Sequence, residues 1–336
     1  MSLIAHVLVL ITLLAITPVA FAADDLDQYP SHTLRNDKLS VVVYLPDAQR
    51  GFYRSTRFDW SGMFGRAEYK GHRFYALWKS PHNPLDFEDV IGPAEEFGTQ
   101  RPLGFDQARP GETFIKIGVG HLLKGNDEAY SFFKQYPISK AGDWEVEKAA
   151  DQGAIRFRQV LKDDRGYGYE YVKRVGLLKD EPGFTIEREL KNTGTRAIAT
   201  NHYNHNFTMI DDEKIGPGYR LTFPFEVKVS GKEPGRHVEQ MKIEGKKLLF
   251  TAAIARERPI WCLLEGYKGL EDHAITIENT RTGAAVKIIG DYPMTRLAFY
   301  GAWTAACPEP FTEFTLQPGE KRQWQSKYVF AVGEGR

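Results

Sequence analysis

Apolar and polar positions alternate with period two along most of this chain. They do so in short runs rich in Val, Ile, Tyr, Phe and Thr, interrupted by Gly, Pro, Asn and Asp. Such runs mark β-strands with one buried face, joined by turns. They place strands at 39–45, 51–60, 72–78, 114–119, 144–146, 154–161, 167–175, 184–192, 197–207, 219–229, 260–266, 273–279, 285–289, 297–303 and 324–330. Tyr167, Tyr169 and Tyr171 fall on one face of their run. Helical periodicity is confined to two short segments, 125–134 and 242–256. Many short strands with regularly spaced turns predict an all-β sandwich or barrel. No composition break, linker or internal repeat divides the sequence, so a single large domain over 24–332 is expected.

The amino terminus departs from this pattern. Residues 8–16 are an apolar run, followed by Pro18, by Ala20-Phe21-Ala22-Ala23 and by the acidic pair Asp24-Asp25. The run is too short to span a bilayer, and the small residues suit cleavage of an export signal near Ala22 or Ala23. Residues 1–23 are therefore expected to be a signal peptide, and the product periplasmic or secreted. The segment before the run carries His6 but no Lys or Arg, which keeps an uncleaved anchor as the alternative. No later stretch is long and apolar enough to predict a membrane span in the mature chain.

Charge then narrows the partners. Lys+Arg and Asp+Glu each number 44, for a formal net charge of zero. No basic footprint for nucleic acid exists, and a neutral, polar ligand suits the balance. The two cysteines, Cys262 and Cys307, do not make a disulfide framework, and whether they pair stays open. Cys262 lies in an apolar run where a thiol acts as a small hydrophobe. Neither cysteine has metal-type spacing.

The densest chemistry lies in Thr200-Asn201-His202-Tyr203-Asn204-His205-Asn206-Phe207-Thr208. On a strand, Asn201, Tyr203, His205 and Phe207 share one face, and His202, Asn204, Asn206 and Thr208 the other. So many amides beside aromatic rings fit the wall of a pocket for a hydroxyl-rich ligand. The competing reading is a polar strand whose histidines are satisfied in the core. His205 can give or take a proton near neutral pH. His202 and His205, three apart on a strand, point to opposite faces and do not make a metal pair.

Glu309 stands between Pro308 and Pro310, a rigid and partly apolar setting that favours a raised pKa; a solvated turn glutamate is the alternative. Arg57, beside Phe58 and Trp60, and Arg66 are candidates to donate to sugar hydroxyls, with surface ion pairing, for instance to Asp59, as the alternative. In Gly92-Pro93-Ala94-Glu95-Glu96-Phe97-Gly98 a solvated loop competes with an extended segment pointing Glu96 inward. His121 follows Gly118-Val119-Gly120, but no third glycine completes a dinucleotide signature, and its place at a strand end leaves it free to face a pocket. Asn206-Phe207-Thr208 matches a glycosylation acceptor.

Two stretches together resemble the aldose 1-epimerase (galactose mutarotase-like) superfamily, as an outlying member. Tyr203-Asn204-His205-Asn206-Phe207 is similar to the family's strand in which an aromatic residue closely follows a histidine. Cys307-Pro308-Glu309-Pro310, followed by Leu316-Gln317-Pro318-Gly319-Glu320, is similar to its carboxyl-terminal segment. The resemblance implies a large antiparallel β-supersandwich with a mono- or oligosaccharide site on its concave face. It implies His205 as acid and Glu309 as base in opening a pyranose ring, with no cofactor and no metal. Arg57, Glu96, His121, Tyr203 and Phe207 are the candidate substrate-binding residues. The family's His-Gly-Gly and Pro-Thr-Gly stretches have no counterpart here, which puts free galactose or glucose in doubt. A non-catalytic glycan-binding protein on the same fold is the alternative, and a polysaccharide lyase a lesser one. The oligomeric state is not legible.

Overall fold

The computed structural model describes residues 26–77 and 79–333. The expected signal peptide, its cleavage position and Trp78 lie outside the described residues. The rest is all-β, with antiparallel sheets and no α-helix among the described residues; single 3-10 turns occur at Leu26–Gln28, Val238–Gln240 and Leu270–Asp272. No helix among them is long and apolar enough to cross a membrane.

Two sheets dominate. A ten-stranded sheet runs from Met241–Glu244 at one edge to Trp144–Lys148 at the other, with Gly183–Asn192 and Lys321–Val332 near its middle. A six-stranded sheet follows the order Lys228–Val229, Ile260–Glu265, Arg296–Ala302, Ala305–Leu316, Ile198–His205 and Ala94–Phe97. A four-stranded sheet, from Ser31–Arg35 to His72–Arg73, and a three-stranded one, from Thr113–Lys116 to Ile138–Ala141, flank them.

Alternation decides what each strand buries. In the six-stranded sheet Ile260, Cys262, Leu264, Leu297 and Phe299 turn inward and join Ile275, Val286, Phe184 and Phe330 of the larger sheet in one core. The opposite parity, Trp261, Leu263, Ala298, Tyr203 and Phe311, forms a second apolar cluster on the outer face. That outer face carries the site.

The contact between the sheets also holds ions. Lys173 on the large sheet bonds Asp59 at 2.7 Å and Glu95 at 3.0 Å, and Arg188 Nε donates to Glu95 at 2.7 Å. Tyr171 Oη donates towards both carboxylates at 3.1 Å. Charges removed from water cost heavily unless paired and hydrogen-bonded, and here each is. Because Glu95 is clamped inward, its neighbour Glu96 is held on the outer face.

Several predicted elements are corrected. Residues 51–60 form a buried loop. Its amides are satisfied without a regular ladder: the N–H groups of Arg57 and Phe58 both donate to Tyr53 Oη at 3.1 Å, and those of Arg54, Asp59 and Trp60 donate to the carbonyls of Pro84, Glu95 and Gly118 at 2.8, 2.8 and 3.1 Å. Of the described residues 72–77, only His72–Arg73 is strand. The expected helix at 242–256 is instead a hairpin of Met241–Glu244 and Lys247–Phe250, turned at Gly245 with φ of 59°. No helix forms at 125–134. The run 219–229 splits into Tyr219–Thr222 and Lys228–Val229, which join different sheets. The glycine-bounded segment around Glu96 is a buried strand, Ala94–Phe97, and the solvated-loop alternative falls. Cys262 and Cys307 are both free and buried, on strands separated by Arg296–Ala302.

Candidate active site

The site starts from an interruption in a ladder. The strands Ile198–His205 and Ala305–Leu316 pair from Ile198↔Leu316 to Tyr203↔Phe311, then stop, and meet again only at Thr208↔Ala306. Pro308 and Pro310 fall within the gap and have no N–H to offer a neighbour. Asn206 bridges it: its Nδ2 donates to Pro308 O at 2.8 Å, and its Oδ1 accepts from Tyr328 Oη at 2.7 Å. Those bonds bury the amide, so the Asn206-Phe207-Thr208 acceptor is structural. Carrying the register through the gap sets His205 opposite Glu309. The side chains meet there, His205 Nε2 lying 3.0 Å from Glu309 Oε1.

Cross-strand neighbours then compose the site in rows. One row is Glu96, Tyr203, Phe311 and Arg296; the next is Ala94, His205, Glu309 and Ala298; Cys307, Tyr300 and Trp261 form a third. Loops supply Glu88, Phe132, Phe133, Pro234 and Arg236 over this face, enclosing a cavity of about 540 Å³. That volume suits a small organic ligand, and rings with a few convergent polar groups are the usual lining of such sites.

His205 is held on several sides. Phe207 stacks on it with centroids 3.9 Å apart and planes 6° from parallel, and Phe58 meets it edge-on at 5.7 Å. Its Nδ1 contacts the Cys307 thiol. Gly92 permits this packing, since a Cβ there would lie 2.2 Å from Phe207 N. Burial first, then the Arg57 charge, push the imidazole pKa well below its ordinary value, so the ring is neutral. Burial moves Glu309 the other way, from an ordinary 4.5 to about 7, with Arg57 and Arg296 opposing the rise. The pair therefore carries one proton that titrates near neutrality, and that proton sits on the carboxyl.

Arg57 is placed at the cavity, but each of its three nitrogens already has a partner, which takes three of a guanidinium's five donors. Nε meets Glu96 at 2.9 Å, Nη1 meets Glu88 at 3.2 Å, and Nη2 donates to Tyr203 Oη at 3.0 Å. Tyr203 Oη in turn donates to Glu96 at 2.8 Å, and Lys116 bonds the other Glu96 oxygen at 2.9 Å. Burial alone would raise the Glu96 pKa; Lys116 and Arg57 instead hold it below the usual value. Arg57 and Glu96 thus form a braced wall, with fewer free donors for a ligand than expected.

Two candidates lie elsewhere. His121 is on Gly120–Leu123 of the three-stranded sheet, half-exposed and facing Asp163 and Lys140, not the cavity. Arg66 is exposed and pairs with Glu68 at 3.5 Å. His202, Asn204 and Asn206 line no pocket: they point between the sheets, Asn204 Oδ1 accepting from Arg188 and His202 Nδ1 from Trp324. That face is packed between the sheets, with His202 Nε2 buried and without a hydrogen-bond partner among the described residues, while Tyr203, His205 and Phe207 on the other face line the cavity. Sequence reasoning missed Glu88, Phe132, Arg236, Trp261, Arg296, Tyr300 and Phe311. Arg296, one residue before the run 297–303, shares a face with Tyr300 by period two, but only the strand register ties that face to Glu309.

His205, Cys307 and Glu309 offer N, S and O atoms within 4.8 Å of one another, a donor set that could suggest a metal. A metal needs one ring nitrogen aimed at it between the other ligands. Here the two ring nitrogens each face a different partner, which is the geometry of a hydrogen-bonded relay.

No family model matches the sequence, and no curated protein matches it. Solved structures do match over nearly all of it. A GalM/aldose epimerase homologue from C. elegans aligns with TM-score 0.56 and 12% identity, covering 91% of this chain and 100% of its own. A galactose mutarotase-like protein from Lactobacillus casei gives 0.52 and 12%, covering 90% and 100%. The Slr1438 protein from Synechocystis sp. PCC 6803 gives 0.55 and 10%, covering 95% and 100%. The fold is galactose mutarotase-like. At such identities the likeness fixes the galactose mutarotase-like architecture and makes this chain an outlying representative of it. The chemistry has to come from the residues.

Proposed function

We propose that the protein interconverts the anomers of an aldose, as an aldose 1-epimerase, with His205 and Glu309 as its proton-transfer pair. The observation that carries this reading is the His205–Glu309 contact at 3.0 Å in an aromatic-lined cavity, with Glu309 at about 7. The names of the fold's neighbours, among them a galactose mutarotase-like protein and an aldose epimerase homologue, support a sugar as ligand.

The proton balance follows from the pair holding one mobile proton. The contact leaves no room for a ring between the two groups, so the pyranose lies over both and exchanges part of their bond for its own. Ring opening starts once the Glu309 proton has passed to His205 across their 3.0 Å contact, which leaves the imidazole charged and the carboxylate free. Glu309 takes the proton of the anomeric hydroxyl as the C1–O5 bond breaks, and His205 gives its proton to O5. The aldehyde turns about C1–C2. Closure in reverse returns the O5 proton to His205 and the Glu309 proton to O1, giving the other anomer. Neither proton is consumed, and the chemistry calls on no cofactor.

The test is anomer exchange of freshly dissolved aldoses, followed by polarimetry or NMR. His205→Ala and Glu309→Gln are each expected to lower the catalysed rate by ~10²–10⁴-fold. Sugar binding that survives both substitutions with no exchange in the wild type would favour the non-catalytic glycan-binding alternative. We also propose that residues 1–23 direct export to the periplasm or medium; N-terminal sequencing of the mature product should begin near Ala23 or Asp24, and an intact Met1 would contradict this.

A further inference from the structure

The cavity has three arginines, of which only Arg57 has counter-ions. Glu88 is held by Arg57 at 3.2 Å and by Lys79 at 3.7 Å; Glu96 is held by Arg57 and Lys116, both at 2.9 Å. Each of these carboxylates already has two cations. Neither Arg236 nor Arg296 has an ion-pair partner among the described residues. Both lie against rings, Arg296 over Phe311 at 3.8 Å and Arg236 over Trp261 at 5.8 Å. Stacking occupies the face of a guanidinium, fixes its plane and leaves the donors along its edge available. In Arg296 the Nε is buried without any hydrogen-bond partner.

We infer that the sugar taken by this cavity carries an anionic substituent, a carboxylate or a phosphate or sulfate ester, held by Arg296 and Arg236. The inference rests on reading the cavity as a sugar site. Arg296 stands one row from Glu309, two residues or about 7 Å along the strands. That separation is comparable to the span of one pyranose from its anomeric oxygen to its C6 substituent. A ring with its anomeric end at Glu309 therefore puts an acidic group at C6 beside Arg296. A planar fork matches a carboxylate or phosphate through paired bonds, which a hydroxyl cannot reproduce. The zero net charge of the chain does not oppose this, because recognition follows the local field.

Calorimetric titration with D-glucose and D-galactose beside their uronates, 6-phosphates and 6-sulfates tests the inference. The acidic member of at least one set should bind ~10-fold or more tightly than its neutral parent, and Arg296→Ala should cut that preference by ~10–100-fold, the size of a lost charge-assisted pair. Arg236→Ala, at an exposed position, should reduce the same preference by less, and it serves if Arg296→Ala does not fold. The set that responds distinguishes a carboxylate from an ester. Equal binding of acidic and neutral members, or a preference that both substitutions leave intact, overturns the inference and leaves the sugar site standing. Failure of every sugar to bind overturns the site reading and this inference together.

Discussion

At the scale of single residues, burial sets the chemistry of the His205–Glu309 pair by pushing the two groups in opposite directions. A neutral imidazole beside a carboxyl at about 7 keeps one proton available near neutrality, which suits both giving and taking. The same burial costs stability. Glu309 binds its proton more tightly folded than unfolded, so stability is fullest below its ordinary 4.5 and declines as pH rises through about 7. The full decline is about 3 kcal/mol. Glu309→Gln should therefore stabilise the protein more at about pH 8 than at about pH 4, as read by denaturant unfolding; equal effects at both would show that the carboxyl is not perturbed. His205 and Glu309 were legible in the sequence because rare residue types stood in rare settings, one among amides and rings, the other between prolines. Arg296 was not, since one arginine in an apolar run carries no mark of its own. Cys307 drew no role in the site from the sequence, because what distinguishes it is contact with His205, far away along the chain.

At the scale of elements, the site depends on a ladder that two prolines interrupt. The His205 and Glu309 strands stay in register across the gap because Asn206 bridges it, donating to Pro308 O and accepting from Tyr328. Asn206→Ala leaves the Tyr328 hydroxyl and the Pro308 carbonyl unpaired in the interior, at a cost of about 1–3 kcal/mol in chemical denaturation. A cost near zero would mean that the register holds without it. The alternation of 200–208 sorted Tyr203, His205 and Phe207 onto one face and His202, Asn204 and Asn206 onto the other; in the structure the first three line the cavity and the second three point between the sheets. The misread elements have physical causes. The run 51–60 is apolar enough for a strand, yet its N–H groups go to the Tyr53 hydroxyl and to scattered carbonyls of Pro84, Glu95 and Gly118, not to one neighbouring strand. Around 242–256 the spacing of apolar residues suits a helix, but Gly245 turns the chain back into a hairpin.

At the scale of the molecule, the all-β architecture was readable because period-two patterning is local and repeated many times. The joining of two sheets through buried ions was not. Lys173, Arg188, Asp59 and Glu95 lie far apart in sequence, and none looks unlike a surface charge there. Their pairing holds Ala94–Phe97 against the large sheet and so fixes where Glu96, and through it Arg57 and Tyr203, stand. A net charge of zero likewise conceals a cavity that keeps two arginines without counter-ions. The central claim is that the singly protonated His205–Glu309 pair works on a sugar ring, and the pH dependence of catalysed anomer exchange tests it most directly. Because the mobile proton leaves as pH rises through about 7, the rate should fall across that range in the wild type. The residual rate of Glu309→Gln should show no such step. A wild-type rate that climbs through the same range, or exchange that no sugar elicits, would contradict the account.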